Sequence, residues 1–175
     1  MLIAEQKRKE NIAEYLLYMF QIEDLIRANE MDLDRIESTL INQFDVAYEV
    51  KREMREWYKT LVIMMQEEKK EKTGHLNILN NIVDQMNEMH QEILKQGYDT
   101  NYKTLYEKAK NHLEALRMRS GHSNENDIQV ALNGLYGLLI LKLKKTKIAP
   151  ETKNAFNAIT ELVAELNLRY MESRS

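Results

Sequence analysis

The sequence predicts an all-α protein: a single-domain antiparallel helical bundle of about six to seven helices. Five glycines and one proline in 175 residues leave few of the turns that hairpins and sandwiches need, whereas helix-forming residues are abundant. Apolar residues recur along most of the chain at steps of three and four, which is typical of helices with one buried face. With 43% hydrophobic residues, residues 1–175 can bury a core as one domain.

Composition also narrows the class of function. A chain without cysteine has no disulfide, no thiolate nucleophile and no Cys-ligated zinc or iron–sulfur cluster. The net charge of −3, with interspersed signs, creates no field that attracts nucleic acid or an anionic membrane. The most apolar stretch, 134–143, has about half of the roughly 20 residues that a bilayer-spanning helix needs, and residues 1–17 lack the apolar core of a secretory signal. We therefore expect a cytoplasmic protein.

The first two predicted helices occupy residues 11–29 and 32–44. The apolar positions of the first recur at helical spacing. They are Ile12, Tyr15, Leu16, Met19, Ile22 and Ile26. Asp32 is a suitable N-cap for the second helix, because its carboxylate can accept hydrogen bonds from free backbone N–H groups. The inward positions of that helix are Leu33, Ile36, Leu40 and Ile41.

The third predicted helix is the longest and begins after Asp45 as N-cap. Its inward stripe is Val46, Val50, Met54, Trp57, Leu61 and Met64. It passes through the charged run 67–72 and stops at Thr73-Gly74, since glycine accepts the left-handed conformation of a helix end. A fourth helix covers 75–96 and ends at Gly97. Its inward residues are Leu76, Leu79, Val83, Met86 and Ile93. Gly74 could instead only kink one longer helix.

Three helices follow in the second half. Asp99 or Thr100 starts one that reaches Gly121, and the short connection before it predicts an antiparallel hairpin with the preceding helix. The polar residues 121–127 form a loop before a helix over 128–145, which is apolar nearly all round and is therefore expected at the centre of the bundle. Pro150 starts the last helix. Its apolar stripe is Phe156, Ile159, Val163, Leu166 and Tyr170.

Three stretches of the chain carry a resemblance. They read RKENIAEYLLYMFQIEDLIRAN (8–29), GHLNILNNIVDQMNEMH (74–90) and LYGLLILKLKKTKIAPETKNA (135–155). In this order and at this chain length they resemble an uncharacterised family of bacterial helical proteins known only as a domain of unknown function. The likeness covers essentially the whole chain and implies a cytoplasmic, helical protein of bacteroidete type. It brings no activity, substrate or catalytic residue to these positions.

Two histidines fall on helix faces where burial is expected. His90 continues the inward stripe of 75–96, and a hairpin between the two helices would leave His112 about 6 Å further along the axis. The Glu-x-x-His pairs of di-metal bundles are absent, since Asn87 and Ala109 stand three residues before the two histidines. A mononuclear metal site of both histidines with Glu23 is one alternative. Structural, hydrogen-bonded histidines are the favoured interpretation, so no metal or cofactor is predicted.

The densest charge group of the first predicted helix is Glu23, Asp24 and Arg27. Glu23 lies on the inward stripe, where an unpaired carboxylate would cost several kcal/mol. Arg27, four residues on, is predicted to pair with it. The functional alternative is a carboxylate with a raised pKa that acts as a general acid or base in a pocket, which Tyr136 would also line.

Further charged motifs have simple interpretations. Glu53-x-x-Glu56 and Glu68-x-x-Glu71 resemble the magnesium-binding pairs of helical nucleotide pyrophosphatases. Because lysines and arginines surround both pairs, a solvated helix face is favoured. The lysines of 142–147 could bind an anion or nucleic acid, but cations at a helix C-terminus also offset its dipole.

Two small-residue features remain. Gly134-x-x-Gly137 is predicted to let a neighbouring element pack closely, and it could equally line a small cavity. Ser123 beside His122 lacks the strand–turn–helix elbow of a nucleophile, so Ser123 is interpreted as a helix N-cap candidate.

Two functions remain open. The favoured one is a non-enzymatic protein that binds itself as a homodimer, or binds a protein partner, through an exposed apolar patch. The other is a small-ligand or metal-binding protein, or an enzyme, with a pocket inside the bundle near Glu23, His90 and His112.

Overall fold

The computed structural model describes residues 2–121 and 124–174. These residues form eight α-helices and one 3₁₀ turn, Ile41–Gln43, with no strand among them. The helices are Leu2–Glu10 (α1), Ile12–Ala28 (α2), Leu33–Thr39 (α3), Tyr48–Glu67 (α4), Asn77–Gln96 (α5), Thr100–Ser120 (α6), Asp127–Leu143 (α7) and Pro150–Glu172 (α8). The all-α prediction is confirmed, and the number of helices is one above the predicted range. Ser123 and His122 lie outside the described residues.

The additional helix is α1. The sequence shows no apolar stripe there, because residues 5 and 7–10 are charged. Ala4 is buried, and residues 5–10 of this helix are exposed or half-buried. Asn11 separates α1 from α2, and its side chain accepts a hydrogen bond from the backbone N–H of Glu14 as an N-cap. Every apolar position predicted to face inward on α2 is buried.

The region 32–67 departs from the prediction in two places. Asp32 caps α3 as expected, but α3 ends at Thr39 and not near Phe44. Asp45 does not cap α4, because the backbone is extended at Phe44 and Ala47, so that the helix begins at Tyr48.

The inward face of α4 is also rotated from the predicted stripe. Val46 and Val50 are exposed. The buried residues are Met54, Tyr58, Leu61, Val62 and Met65. Arg55 lies on the side of α4 that faces α3: it donates a hydrogen bond to Leu33 O (3.2 Å) and forms an ion pair with Asp34 (2.8 Å).

Gly74 lies in a break, not a kink. Helix α4 ends at Glu67, and Lys69 and Gly74 both have positive φ, at 57° and 83°. Residues 68–76, hereafter the α4–α5 segment, are therefore non-helical, and α5 begins two residues later than predicted. Gly97 ends α5 at a φ of 73°, as the sequence predicts.

Helix α6 has the predicted ends. The Asp99 carboxylate accepts a hydrogen bond from the Tyr102 N–H, and Gly121 closes the helix in the left-handed conformation. Although α6 contacts its predicted neighbour α5, it packs most extensively against α8. An ion pair of 2.5 Å between Arg169 and Asp99 joins the ends of those two helices.

Only the first half of α7 is buried in the core, which corrects the prediction that the whole helix is central. Asn126 caps it, and its buried residues are Ile128, Val130, Ala131 and Leu132. Near its C-terminus Leu141 is 37% exposed and Leu143 is 58% exposed. Helices α2, α5, α6 and α8 all contact α7, but burial is confined to its first half.

Helix α8 begins at Pro150, and all five residues of its predicted stripe are buried. The buried side chains of the helices form one hydrophobic cluster. Within residues 2–121 and 124–174, no helix combines the length and apolarity needed to cross a membrane.

Candidate functional site

The most unusual buried group is the Glu23 carboxylate. Its side chain is 1% exposed, and it accepts a hydrogen bond of 2.8 Å from the backbone N–H of Leu76. Its second oxygen, Oε2, lies 2.6 Å from Nδ1 of His75. Because a carboxylate taken out of water is costly unless it is hydrogen-bonded, these contacts are what makes its burial tolerable.

The predicted pair of Glu23 with Arg27 is wrong. Arg27 instead pairs with Asp24 at 2.9 Å, and it donates hydrogen bonds to the carbonyl oxygens of Lys70 (3.1 Å) and Gly74. The guanidinium therefore anchors the α4–α5 segment on α2. That anchoring brings His75 beside Glu23, although the two residues are 52 positions apart in the chain.

Two contacts restrict the His75 side chain. Its ring stacks on Phe20 with centroids 3.7 Å apart and an interplanar angle of 18°. Since a carboxylate can only accept, Nδ1 of His75 is the donor in its contact with Glu23. The His75 side chain is 20% exposed, and its Nε2 has no hydrogen-bond partner in the described part of the chain. Nε2 is thus the nitrogen that remains for a ligand.

Tyr136 joins α7 to the same cluster. Its hydroxyl donates a hydrogen bond of 2.7 Å to Asp24 Oδ2, and its ring meets Phe20 edge to face at 6.0 Å. Burial and the neighbouring Asp24 carboxylate raise the pKa of Tyr136, so that the hydroxyl stays protonated as a donor. Asp24 is therefore held between Arg27 and Tyr136.

These groups border an open cleft of about 600 Å³ between α2, the α4–α5 segment, α5, residues 124–126 and α7. Its walls are polar. Three described cationic side chains and three described acidic ones line it, and amide side chains fill the space between them. The charged residues are Arg27, Lys70, Lys72, Asp24, Asp84 and Glu125; the amides include Asn80, Asn126, Gln129 and Asn133.

Apart from Asp24 and Arg27, which pair on α2, the two signs of charge lie on different elements. Lys70 and Lys72 form the basic wall on the α4–α5 segment, and no described carboxylate forms an ion pair with either. Asp84 on α5 and Glu125 before α7 form the acidic wall, and they accept hydrogen bonds from Asn126 (3.4 Å) and Asn133 (3.1 Å). The cleft therefore presents a basic wall and an acidic wall to anything that enters it.

His90 belongs to a separate, closed network. It is fully buried, and its Nδ1 lies 2.8 Å from the Tyr102 hydroxyl. Its Nε2 is buried 3.7 Å from Asp127 Oδ2, beyond hydrogen-bond distance, and makes no hydrogen bond within the described part of the chain. The His90 imidazole first, then the Tyr106 hydroxyl and the Arg117 guanidinium, hold the pKa of the Asp127 carboxyl below its usual range. These contacts make His90 a structural residue.

The predicted site residues thus lie in three places. Asp24, Arg27 and Tyr136 line the cleft with Glu23 behind His75, whereas His90 is in the core. His112 lines a hollow between α6 and α8, so a metal site of His90, His112 and Glu23 is excluded. Among the described residues no cluster of three or more His, Cys, Asp or Glu could hold a metal ion.

The acidic pairs have local structural contacts. Glu56 lies 3.7 Å from Lys59 in an i, i+3 ion pair. Glu68 accepts a hydrogen bond of 2.6 Å from the backbone N–H of Asn77, at the first turn of α5.

Sequence reasoning did not identify His75, Lys70 or Lys72. His75 stood at the predicted start of a helix and the lysines in a charged tail, so no periodicity distinguished them. The one available signal was Gly74, whose positive φ accompanies the turn that brings these residues to α2.

A family model described as a domain of unknown function (DUF4924) matches residues 1–175. No curated protein and no solved structure matches the chain.

Proposed function

Because the chain belongs to the DUF4924 family, a domain of unknown function, we propose a function from its geometry: it binds a small zwitterionic molecule in the cleft beside His75. The Glu23–His75 pair is the observation that carries this proposal. A buried carboxylate orients one imidazole on the cleft wall and leaves the other ring nitrogen without a described partner. Histidines held in this way serve as hydrogen-bonding or proton-accepting groups.

The charges of the cleft indicate the class of ligand. A carboxylate would meet Lys70 and Lys72 on the basic wall, and an ammonium group would meet Asp84 and Glu125 on the acidic wall. His75 Nε2 would take a hydrogen bond from the ligand. A volume of about 600 Å³ lies in the range of small-molecule sites. An α-amino acid or a dipeptide combines these groups in one small molecule.

The test is a thermal-shift screen of the twenty amino acids and a set of dipeptides, with calorimetric titration of each hit. A bound ligand at about 100 times its Kd stabilises the fold by about 2.7 kcal/mol, which the melting temperature reports. The double variant Lys70→Gln/Lys72→Gln should weaken binding about tenfold, and His75→Gln by a similar factor, since each removes a charged or hydrogen-bonded contact. Lys103→Gln, at an exposed position of α6, is the matched control and should bind as the unmodified protein does.

Two results would contradict the proposal. One is the absence of any shift in melting temperature across the panel. Each compound is tested at about ten times the Kd of a weak metabolite site, which is about 1 mM. The other is an equal response to acetate or inorganic phosphate, which would mean that the basic wall alone binds a simple anion.

A further inference from the structure

Helix α7 has one face that the described helices cover only in part. Its positions recur at steps of three and four, so they form a single helical stripe. They are Val130, Asn133, Gly134, Gly137, Leu138 and Leu141. This stripe forms the floor of a groove of about 460 Å³, whose sides include Leu116 and Arg119 of α6 and Phe156 of α8. From Val130 to Leu141 the helix rises about 16 Å, or three turns.

No contact among residues 2–121 and 124–174 explains the glycine at position 137. Glycine inside a helix costs about 0.5–1 kcal/mol relative to alanine, so close packing usually accounts for it. Gly134 has such a neighbour: a Cβ there would lie 2.7 Å from Leu116 Cδ1 and 3.4 Å from Phe156 Cε1. At Gly137 no described atom of another element lies within 4 Å of the Cβ position. Its missing side chain therefore leaves the groove open to the outside.

The apolar surface continues beyond the groove. A second hollow of about 240 Å³ shares Leu116, Arg119 and Phe156 with it, and extends between α6 and α8 past His112 and Ile159. The two hollows together form one apolar strip along α6. The sequence predicts an exposed apolar patch for a partner-binding protein, and this strip has that character.

The end of the groove near Leu141 is basic. Lys142 and Lys144 follow Leu141 closely in the chain, and Arg119 lines the groove; all three are exposed, and none forms an ion pair with a described carboxylate. Two acidic residues also line the hollows: Glu125 before α7 in the groove, and Glu151 at the start of α8 in the second hollow. A molecule that fits the groove should therefore be apolar along its length and negatively charged at one end.

We propose that this groove binds an amphipathic helix of a partner protein. The helix would place its apolar stripe over Gly137 and its acidic residues against Arg119, Lys142 and Lys144, in the helix-in-groove mode of recognition. A second copy of the chain fits less well, because α7 contains no acidic residue after Asp127 and cannot complement the basic end. The groove and the zwitterion-binding cleft share Glu125 and Asn133 as lining residues, but this inference uses neither His75 nor the basic wall of the cleft.

The experiment uses a fluorescein-labelled synthetic peptide of about 16 residues, long enough for the three turns of the groove. It carries leucines at i, i+3, i+4 and i+7 and glutamates at one end, and the control peptide has lysines in place of those glutamates. Fluorescence anisotropy should show the acidic peptide binding at least about tenfold more tightly than the control, the size of effect expected when close charge pairs are reversed.

Three protein variants locate the binding. Gly137→Leu fills the groove at a position that has room for a side chain, so circular dichroism should stay unchanged while peptide affinity falls at least about tenfold. Lys142→Glu/Lys144→Glu should reverse the preference between the two peptides. Lys70→Gln/Lys72→Gln changes residues that line the cleft and not the groove. This variant should bind the acidic peptide as the unmodified protein does, which separates this proposal from the zwitterion-binding one.

Light scattering during size-exclusion chromatography completes the test, and a monomer is the expected result. A dimer that Gly137→Leu converts to a monomer would overturn the proposal, because a second copy would then occupy the groove. Equal affinity for the two peptides, or retained affinity in Gly137→Leu, would also overturn it. So would displacement of the peptide by a single-stranded oligonucleotide, which would identify the basic end as a nucleic-acid surface.

Discussion

Two histidine–carboxylate pairs show how burial decides what the same side chains can do. In the first, Glu23 is the buried partner and His75 reaches the cleft with a free ring nitrogen. In the second, His90 is the buried partner, and Tyr102, Tyr106 and Asp127 surround it. The first arrangement leaves a group available for recognition, whereas the second joins α5, α6 and α7.

The second pair makes stability depend on pH in the acid range. Since the folded-state pKa of Asp127 is depressed, its carboxylate stabilises the fold above the unfolded pKa of about 3.9, and that stabilisation is lost as the pH falls. We predict that Asp127→Asn lowers the free energy of unfolding at pH 7 by about 1–3 kcal/mol and flattens its decline on acidification. Urea titrations between pH 3 and pH 7 measure both effects.

The control for that experiment is Asp45→Asn, because Asp45 is exposed in the connection before α4. This variant should keep the acid dependence of the unmodified protein. If Asp127→Asn and Asp45→Asn lose stability in parallel as the pH falls, Asp127 is not the group responsible.

At the scale of the helices, glycines act in two opposite ways. Gly97 occupies the left-handed region at the end of α5, with a φ of 73°, where a side chain introduces strain. Gly137 lies inside α7 with open space around it, where a side chain costs nothing sterically. Two identical substitutions should therefore change stability in opposite directions.

We predict that Gly97→Ala lowers the free energy of unfolding by about 1 kcal/mol, since alanine disfavours positive φ. Gly137→Ala should raise it by about 0.5–1 kcal/mol, the difference in helix propensity between the two residues. Chemical denaturation of the two variants and the unmodified protein at one pH measures both values. Loss of stability in Gly137→Ala would mean that something covers this face of α7 in solution.

At the scale of the whole molecule, α4 is a long helix whose main neighbours all come from the first half of the chain. It packs against α2, α3 and the 3₁₀ turn, and Arg55 ties it to α3 through ion pairs with Asp34 (2.8 Å) and Glu37 (3.1 Å). Its buried residues, among them Tyr58 and Met65, nevertheless belong to the same hydrophobic cluster as those of α8. The sequence predicts a single domain, and α4 is the element that tests this prediction most directly.

We predict that the chain unfolds in one cooperative transition. Trp57 is the single tryptophan and lies on α4 against Tyr58, with ring centroids 5.0 Å apart, so its fluorescence reports on α4. Far-UV circular dichroism reports on all the helices. For a single domain the two urea transitions should coincide. An earlier fluorescence transition would show that α3 and α4 unfold as a separate unit.

Local sequence was enough to predict the class of the fold and most helix ends. Asp32, Asp99 and Pro150 start helices where the sequence places them, and Gly97 and Gly121 end them. These signals act through hydrogen bonds and sterics within about one turn, so they do not depend on the rest of the chain. The inward stripes of α2 and α8 are equally local, because spacing alone defines a helix face.

Contacts between distant segments decided the rest, and with it the candidate site. The partner of Glu23 is His75, not Arg27, because the α4–α5 segment folds back onto α2. Packing likewise covers the second half of α7 only in part, although its composition is as apolar as that of a buried helix. By itself the sequence determined most of the helical segments, with the exception of α1, and the apolar faces of α2 and α8. Only the tertiary structure decided which polar groups meet and which apolar faces stay open, because both depend on where remote helices pack.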